Sequence, residues 1–410
     1  MGISFNKEAV LQKEGMVMKG KIGLSLLLAV ALLLSMAMLA PRAAVAEDVI
    51  KIGAVQPITG RFAFAGVHIN AGLEDALMMA NEEGGINGKK IQYIMEDGEY
   101  KVDVAVAAFK RIMARDNPLI MYGESTALGK AMAPEIKDRY KVLYSSTSFS
   151  SELADAAKNP YVFVAGPTYS DMFGILLKYI AKEKPGANVA FFYSDTEFGR
   201  DPVESGKEMC KKLGLKLVAE EVSKVGAVDI TSQVLDMKRK NVEYCIFQGY
   251  VLSPIDAVMK QAKDYGLKCK FMGTFWSTQK MLLDKLGPMA DNYMGVMPYA
   301  FYYQEDIPMI KKIREWTAKH HPDVKYRPTS YMQGFVNGLI YVEVLKRADK
   351  AGELNHEGLV KALNSIKDVD FGGIMAPVTI VDNKIPMGRV YRGNSAKGIF
   401  EPVSDWIKLD

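Results

Sequence analysis

Two spacings of hydrophobic residues alternate along most of the chain. Short runs of apolar residues, many of them β-branched or aromatic, predict strands, whereas apolar residues three or four positions apart predict helices. In residues 68–83, for example, Ile69, Leu73 and Leu77 lie on one stripe. Gly84 follows and favours an end to the helix there. The predicted strands lie at 50–55, 91–95, 119–122, 142–144, 189–193, 217–219, 244–247 and 270–272.

Helical stretches separate these strands. A repeated strand–helix–strand order implies parallel sheets with helices on both faces. The order occurs once before Gly166 and again after it, which predicts an α/β fold with two doubly wound parallel-sheet lobes. The helices predicted between the strands lie at 68–83, 102–115, 130–139, 171–182, 201–213, 231–240 and 253–265.

The chain changes character beyond Met297, where helical patterns at 308–319, 329–348 and 356–365 have no sheet of their own to cover. We expect these helices to return to the first lobe, and a β-rich stretch at 376–410 to cross between the lobes. Several crossings make a hinge beside a cleft, and in such sheets ligands bind at the carboxyl ends of the strands. The predicted boundaries are 47–167 plus 299–378 for lobe 1 and 168–298 plus 379–410 for lobe 2.

The first 46 residues differ from the rest of the chain. Residues 22–40 carry no charge and are rich in Leu and Ala, while Lys19 and Lys21 precede them. With the small residues at 44–46, this pattern predicts a secretory signal peptide with an upstream extension, cleaved near Ala46. We therefore expect an exported protein. An uncleaved membrane anchor is the alternative, because the apolar run is long enough to span a bilayer.

Composition and charge argue against several classes of function. Hydrophobic residues make up 49% of the chain and charged residues 24%, as in a soluble globular protein. The segment 1–46 holds five Lys or Arg and two Asp or Glu, so its removal lowers the formal net charge from +4 to +1. This charge gives no electrostatic basis for binding nucleic acid. Cys210, Cys245 and Cys269 have no metal-binding spacing, and we interpret them as small buried residues, with a Cys245–Cys269 disulfide as the alternative.

The sequence contains no motif typical of an enzyme. It lacks G-x-S-x-G, G-x-G-x-x-G, the P-loop, C-x-x-C and H-E-x-x-H. Of the four His residues, His320 and His321 lie at a charged helix end that we expect on the surface, and His68 lies at a predicted helix start. We therefore predict no catalytic residues, no cofactor and no bound metal.

Four stretches of the chain resemble, in the same order, the periplasmic solute-binding proteins of branched-chain amino acid ABC transporters. They are IKIGAVQPITG (50–60), GGINGKKIQYIMEDGE (84–99), FFYSDTEFGR (191–200) and AKDYGLKCKFMG (262–273). The resemblance implies a type I periplasmic binding fold, the Venus-flytrap arrangement in which two lobes close on one small molecule. It also implies a monomer in the periplasm that delivers its ligand to a permease and an ATPase in the inner membrane.

In that family, loops that follow strands of the first lobe hold the ligand carboxylate. The matching stretches here are GESTALG (123–129) and YSSTSFSS (144–151). Backbone N–H groups at a helix start attract an anion, and a charge-assisted hydrogen bond is worth about 1.5–3 kcal/mol. We predict that hydroxyls of these loops hold a carboxylate, and the alternative is that they only cap helices. The hydroxyl residues are Ser125, Thr126, Ser145, Ser146, Thr147 and Ser148.

Two acidic positions of the family's amino acid binders are not acidic here. One follows the FMG turn and the other lies in the segment that crosses into the second lobe. These positions hold Phe275 and Tyr169, and Asp171 is expected at the start of helix 171–182. Because a buried ammonium without a counter-charge costs several kcal/mol, the sequence favours a ligand without an amino group.

Aromatic residues are frequent in the predicted cleft loops. Burying a ring of ~150–250 Å² contributes about 4–6 kcal/mol, so rings from both lobes would stabilise a flat, apolar carboxylate. The alternative for Trp276 is a place in the core between the lobes. The predicted ring residues are Phe62, Phe64, Phe149, Tyr169, Tyr250, Phe275 and Trp276.

Two charged residues lie in the first-lobe loops. Arg61 follows Gly60 and could clamp a carboxylate from the rim, or it could stay solvated. Glu124 is the acid of the stretch 123–129, and we expect it to face solvent. If Glu124 instead faced inward, it would reject anions or accept a hydrogen bond from a ligand hydroxyl.

These patterns lead to one function with two alternatives. We predict a periplasmic substrate-binding component of an ABC transporter, which captures a small carboxylate, aromatic by preference, and delivers it to the permease. One alternative is the binding of a branched-chain or other hydrophobic amino acid for uptake. The other is a ligand-sensing module that reports to a signalling partner.

Overall fold

The computed structural model describes residues 49–409 of the 410-residue chain. The predicted signal peptide and its cleavage near Ala46 lie outside these residues. Within them, the strands form two sheets whose parallel pairings and covering helices confirm the predicted α/β class. In this part of the chain, no helix combines the length and hydropathy that a membrane span requires.

The first sheet is formed by the N-terminal part of the described chain. Its strands are β1 (Ile50–Gln56), β2 (Ile91–Asp97), β3 (Ile120–Gly123) and β4 (Leu143–Ser146), and the helices between them are α1 (Ala63–Glu82), α2 (Val102–Asp116) and α3 (Thr126–Glu135), followed by a π-helical turn at Ile136–Tyr140. The strand order is β2-β1-β3-β4, with every pairing parallel. The central strands are buried almost throughout, as expected of a sheet covered on both faces.

Two helices of the first lobe begin earlier than the sequence predicts. Helix α1 starts at Ala63, where Gly66 packs so closely that a Cβ would lie 2.0 Å from the Pro57 carbonyl oxygen. Phe64 therefore lies in the first turn of α1 and not in a loop. Helix α3 starts at Thr126, because the Ser125 hydroxyl accepts a hydrogen bond from the Leu128 N–H at 3.1 Å.

The second sheet has the strand order β11-β10-β9-β8-β7-β5-β6. Its strands are β5 (Asn188–Ser194), β6 (Lys216–Ser223), β7 (Tyr244–Gln248), β8 (Lys270–Gly273), β9 (Tyr293–Met297), β10 (Met387–Asn394) and β11 (Ile399–Lys408), and its helices are α4 (Tyr169–Glu183), α5 (Glu197–Arg200), α6 (Val203–Lys212), α7 (Thr231–Arg239), α8 (Ile255–Asp264) and α9 (Lys280–Leu286). Strands β5 to β9 pair in parallel, whereas β10 pairs antiparallel with both β9 and β11. The sequence predicts neither β9 nor this antiparallel edge.

The later helices cover the first sheet. They are α10 (Pro308–His320), α11 (Thr329–Lys350) and α12 (His356–Asn364). Helix α11 lies directly against α1, and two glycines allow the close approach. A Cβ on Gly72 would lie 2.1 Å from the Tyr331 carbonyl oxygen, and one on Gly334 would lie 2.0 Å from that of Ile69.

A buried carboxylate, Asp75, connects α1 to the segment that leads into α11. Its Oδ2 accepts hydrogen bonds from the Arg327 guanidinium at 3.0 Å and from the Tyr331 hydroxyl at 2.8 Å. Its Oδ1 lies 2.8 Å from Nε2 of His321. His321 is therefore half-buried and bonded, which differs from the free surface position expected from its charged neighbours.

Three crossing segments run side by side between the two sheets in the described chain, as the predicted hinge requires. The Val164 N–H donates to the Asn383 carbonyl oxygen at 2.8 Å, and the Ile385 N–H donates to that of Gly166 at 3.1 Å. The hydroxyl of Tyr299 donates to the carbonyl oxygen of Ala165. These bonds fix the crossings to one another, so a hinge motion would involve all of them.

The three cysteines are buried and unbridged. The alternative of a Cys245–Cys269 disulfide is therefore wrong for this structure. Burial raises the pKa of the Cys210 thiol to about 12, which keeps this thiol protonated and unreactive at neutral pH.

Candidate ligand-binding site

Loops at the carboxyl ends of strands from both sheets contact each other. The ring of Phe62, which follows β1, lies edge-on to Trp276, which follows β8, with centroids 5.2 Å apart. The rings of Phe149 and Phe275 lie 5.0 Å apart. We call the interlobe surface formed by these loops the cleft, and it comprises residues 57–62, 98–100, 123–126 and 146–151 of the first lobe and 194–201, 248–250 and 274–279 of the second.

The hydroxyl residues after β3 and β4 are connected, and we call Ser125, Thr126, Ser146, Thr147 and Ser148 the hydroxyl cluster. The Thr126 and Ser148 hydroxyl oxygens lie 2.7 Å apart. The Ser146 hydroxyl accepts a hydrogen bond from the Ser148 N–H at 3.1 Å. The Thr147 N–H donates to the Gly123 carbonyl oxygen at 3.0 Å, and its hydroxyl donates to that of Glu124. These bonds hold the two loops together at the start of α3.

The Ser125 and Ser146 hydroxyls have a structural role and can still donate a hydrogen bond. Ser125 is the N-cap of α3, as the capping alternative predicts. Because the Ser125 and Ser146 hydroxyls accept bonds from backbone N–H groups, their own protons remain able to donate to an anion. Ser145 differs from this group, because its hydroxyl bonds to Asn337 and Tyr341 on α11.

Glu124 is fully buried, so the expected solvent-facing position is wrong. Its Oε2 accepts a hydrogen bond from the Tyr100 N–H at 3.1 Å. Gly98 makes room for it, because a Cβ there would lie 2.2 Å from Oε2. Among the described residues, Oε1 has no hydrogen-bond partner. Burial raises the pKa of Glu124 to about 7, and the neighbouring carboxylates of Asp97 and Glu99 act in the same direction.

Most of the predicted ring residues do come together. Phe275 contacts Phe149 and lies edge-on to Trp276 at 5.0 Å. Phe149 also lies 5.9 Å from Tyr169, whose hydroxyl accepts a hydrogen bond from Nε1 of Trp276 at 3.1 Å. Phe62 completes this ring cluster through its contact with Trp276. The rings pack against one another and form a closed apolar seam between the lobes. The seam comprises Phe62, Phe149, Tyr169, Phe275 and Trp276.

Phe64, Tyr250 and Arg61 lie outside this seam. Phe64 is 38% exposed and contacts only the edge of Phe62 among the ring pairs of the described chain. Tyr250 packs within the second lobe, where its hydroxyl lies 2.7 Å from that of Ser223. The Arg61 guanidinium is exposed at the rim and lies over the Tyr100 ring, 5.1 Å from its centroid.

Asp171 has structural partners. It forms a capping box with Thr168, whose N–H donates to Oδ2 at 2.9 Å. Lys384 forms an ion pair with Oδ1 at 2.9 Å. Helix α4 therefore begins at Tyr169, before the predicted start at Asp171, and this carboxylate is already bonded.

Three aromatic residues that the sequence analysis missed join the ring cluster. Tyr100 stacks on Phe62 with centroids 4.6 Å apart, Phe198 lies 5.0 Å from Tyr169, and Tyr299 lies 5.6 Å from Phe275. Each follows the carboxyl end of a strand, and this position was the available signal for Tyr100 and Phe198, whereas Tyr299 follows β9, which the sequence does not predict. Tyr100 has a φ of 55°, a left-handed conformation that is uncommon outside glycine.

Polar contacts between the lobes lie beside the hydroxyl cluster. Nζ of Lys130 on α3 lies 2.7 Å from a carboxylate oxygen of Glu197 on α5 and 2.7 Å from one of Glu152. The Ser151 N–H donates to Asp201 at 3.0 Å, and the Ser150 hydroxyl bonds to the same carboxylate. These bonds favour the closed arrangement of the lobes. They join residues far apart in the sequence, which is why the sequence carries no signal for them.

Comparison with known proteins relates this geometry to one family. A family model described as periplasmic binding protein matches residues 49–392. The chain is 23% identical to the leucine-, isoleucine-, valine-, threonine- and alanine-binding protein of Pseudomonas aeruginosa, over 78% of this chain and 84% of that protein. It is 24% identical to the Leu/Ile/Val-binding protein of Escherichia coli K12, over 62% of this chain and 69% of that protein.

Solved structures show the same fold. A branched-chain amino acid ABC transporter protein from Thermus thermophilus with bound valine superimposes with a TM-score of 0.77 at 24% identity, covering 88% of this chain and 96% of that one. A fatty acid ABC transporter substrate-binding protein from Thermomonospora curvata also gives 0.77, at 20% identity, covering 89% of this chain and 94% of that one. Neighbours of one fold are thus named for ligands of different chemistry.

Proposed function

The chain belongs to the periplasmic binding protein family, and from this premise we propose that it is the substrate-binding component of an ABC transporter. In this role the lobes close on a small apolar ligand that bears a carboxylate, and the closed form is presented to a permease and its ATPase. The relatives named above are binding proteins and not enzymes. The periplasm is the location that accompanies this role.

The hydroxyl cluster at the start of α3 is the observation that carries this proposal. It combines the backbone N–H groups of a helix start with hydroxyl protons that can donate, both of which stabilise an anion. The Lys130 amino group belongs to the same helix and already has two carboxylate partners. A ligand carboxylate would therefore be held by hydrogen bonds from neutral groups, each worth about 1.5–3 kcal/mol.

The ligand that we propose first is a hydrophobic α-amino acid with an aliphatic side chain. Relatives are named for leucine, isoleucine and valine, and one structural neighbour holds valine. The rings that meet across the cleft, with centroids 5.0–5.2 Å apart, offer an apolar surface to such a side chain.

An aromatic carboxylate is the second candidate, and a specific observation favours it. Tyr169 and Phe275 stand at the two positions where the resemblance implies acids, and both join the buried ring cluster. A ligand without an amino group would need no counter-charge there. The aromatic carboxylate therefore competes directly with the amino acid as the guest of the same cleft.

A thermal-shift screen of the purified mature protein, followed by calorimetry, tests the proposal. The panel pairs leucine with 4-methylpentanoate and phenylalanine with 3-phenylpropanoate, and adds valine, isoleucine, alanine, threonine and benzoate. We expect leucine, isoleucine or valine to give the largest rise in Tm, because bound ligand stabilises the folded state. A largest rise with benzoate or 3-phenylpropanoate would support the second candidate, and no rise across the panel would contradict both.

Delivery to a transporter is tested separately from binding. Uptake of the radiolabelled ligand should fall in cells that lack this protein and recover when it is restored. Unchanged uptake, together with tight binding in solution, would instead favour the ligand-sensing module that reports to a signalling partner.

A further inference from the structure

Among the described residues, no counter-charge pairs with the buried acid Glu124. Its side chain is 0% exposed, and the one hydrogen bond that this part of the chain gives its carboxylate is from the Tyr100 N–H to Oε2. Within residues 49–409, Oε1 has no hydrogen-bond partner, and Glu124 takes part in none of the ion pairs closer than 4.0 Å. An ionised carboxylate in such a place costs several kcal/mol unless a cation meets it.

The charged groups around Glu124 increase this cost. Asp97 at the end of β2 and Glu99 in the loop that follows bring two further carboxylates near it, and Tyr144 on β4 brings a neutral hydroxyl. Two cations lie on this side of the cleft, but Arg61 lies over the Tyr100 ring at the rim and Lys101 is paired with Glu99 at 2.7 Å. The local field around Oε1 is therefore negative and suits a positively charged guest.

The position of Glu124 places this negative group beside the proposed carboxylate site. Glu124 follows β3 directly and precedes Ser125, the N-cap of α3. Its carbonyl oxygen accepts the Thr147 hydroxyl bond that joins the two hydroxyl loops. One short loop thus offers donors for an anion and an unpaired acceptor for a cation, which is the charge pattern of a zwitterion.

We infer that Glu124 receives the protonated amino group of the ligand, and that it replaces in the first lobe the acids missing at Tyr169 and Phe275. This inference rests on the proposed function and deepens it. It selects amine-bearing apolar acids over simple carboxylic acids as the substrate class of the cleft.

A dependence on pH follows from this role. Burial raises the pKa of Glu124 to about 7, so below pH 7 the free protein carries a proton that the ammonium must displace. The affinity for an amino acid should then fall about tenfold between pH 8 and pH 6, with proton release on binding. A ligand without an amino group should lose no affinity over this range through Glu124.

The test compares leucine with 4-methylpentanoate, which lacks only the amino group, by calorimetry on the mature protein at pH 8. Glu124→Gln removes the charge and keeps the size of the side chain, and Glu83→Gln is the matched control, because it removes an exposed carboxylate that lies outside the cleft and is paired with Lys312. We expect Glu124→Gln to weaken leucine binding at least about thirtyfold and to leave 4-methylpentanoate binding unchanged or tighter. Glu83→Gln should change either affinity by less than about threefold.

The outcomes separate this inference from the proposed function. If the wild-type protein binds leucine and Glu124→Gln binds it equally well, the proposed role of Glu124 is wrong and the receptor function stands. The same conclusion follows if Glu124→Gln weakens the binding of leucine and of 4-methylpentanoate equally. If the wild-type protein binds 4-methylpentanoate as tightly as leucine, the amino group is not recognised and the inference is again wrong. If it binds neither leucine nor any acid of the panel, the proposed function fails as well. A thermal unfolding curve of each variant establishes that it is folded.

Discussion

Two buried carboxyl groups of the first lobe, Asp75 and Glu124, have opposite surroundings. Asp75 is 2% exposed and contacts the Arg327 guanidinium, the Tyr331 hydroxyl and the His321 ring at 2.8–3.0 Å. Glu124 is 0% exposed and has one backbone hydrogen bond. The two groups share a lobe and a degree of burial, and they differ in whether the protein supplies their partners.

From this difference we infer a structural role for Asp75 and a functional role for Glu124. Asp75 connects α1 to the segment before α11, so its bonds hold the returning helices on the first sheet. Glu124 lies in the cleft, where a group left without a partner is retained only if something else compensates its cost. Four variants can break or sharpen this comparison, and they are ordered by the size of the expected effect.

Removing the Asp75 carboxylate should have the largest effect on stability. Asp75→Ala leaves the buried Arg327 guanidinium unpaired, so we expect a loss of about 3–5 kcal/mol in the free energy of unfolding, measured by urea titration. Glu74→Ala, at the exposed neighbouring position on α1, is the control and should change stability by less than about 0.5 kcal/mol. A loss below about 1 kcal/mol for Asp75→Ala would show that the helices are held mainly by packing.

Neutralising Glu124 should increase the stability of the ligand-free protein, which is opposite in sign to the effect expected at Asp75. The pKa of Glu124 is raised to about 7 in the folded state, so the unfolded chain loses this proton first as pH rises from 4.5. The Glu124 contribution therefore lowers the stability of the wild-type protein between pH 4.5 and 7, and Glu124→Gln lacks this contribution. We expect Glu124→Gln to be more stable by up to about 3 kcal/mol at pH 8, with the difference gone near pH 4.

The measurement is a series of urea titrations from pH 4 to pH 8 on both proteins. The same series on Glu83→Gln should follow the wild-type curve. A Glu124→Gln protein that is less stable than wild type at pH 8 would mean that the carboxylate is stabilised by partners within the fold.

A substitution of Trp276 tests whether the aromatic residues of the cleft contribute to ligand binding. Trp276→Ala removes the ring that meets Phe62 and Phe275 and the N–H that bonds to Tyr169. We expect ligand binding to weaken by about 2 kcal/mol or more, as for buried aromatic residues at other interfaces, measured by calorimetry. Trp276→Phe keeps a ring and should lose less. Unchanged affinity in Trp276→Ala would assign Trp276 to the core between the lobes.

The ion pair between the lobes should have the smallest effect. Lys130 contacts both Glu197 across the cleft and Glu152 within its own lobe, each at 2.7 Å, and both acids are exposed. We expect Glu197→Gln to weaken ligand binding by no more than about 1 kcal/mol, and less at high salt. Glu152→Gln is the matched control, because it removes the contact that does not cross the cleft. Equal effects of the two changes would mean that closure does not depend on this pair.

Much of the fold could be predicted because strand and helix periods are local. The strands of the parallel core are short apolar runs, and each of the eight predicted strands begins within one residue of its predicted start, although β6 extends four residues beyond its predicted end. β9 was missed because Tyr293–Met297 contains Gly295 and two Met and lacks a clear run of β-branched residues. The antiparallel edge could not be predicted, because pairing of β10 with β9 depends on where the returning chain reaches the sheet.

The candidate site could be predicted in part for the same reason. Hydroxyl and aromatic residues that follow strands lie at the cleft by the topology of parallel sheets alone. The burial of Glu124 could not be predicted, because Gly98 and Tyr100 cover it from another loop. The functional assignment of the individual side chains remains a prediction that the binding experiments test.

By itself, the sequence determined the order of the elements, the two-lobed α/β class and the residue types at the strand ends, because these depend on spacing along the chain. Only the tertiary structure decided that the rings close on one another, that Asp75 is paired and that, within the described part of the chain, Glu124 is buried without a cation. Burial and pairing arise from contacts between distant segments, and the free energy of a charge depends on those contacts more than on its neighbours in sequence.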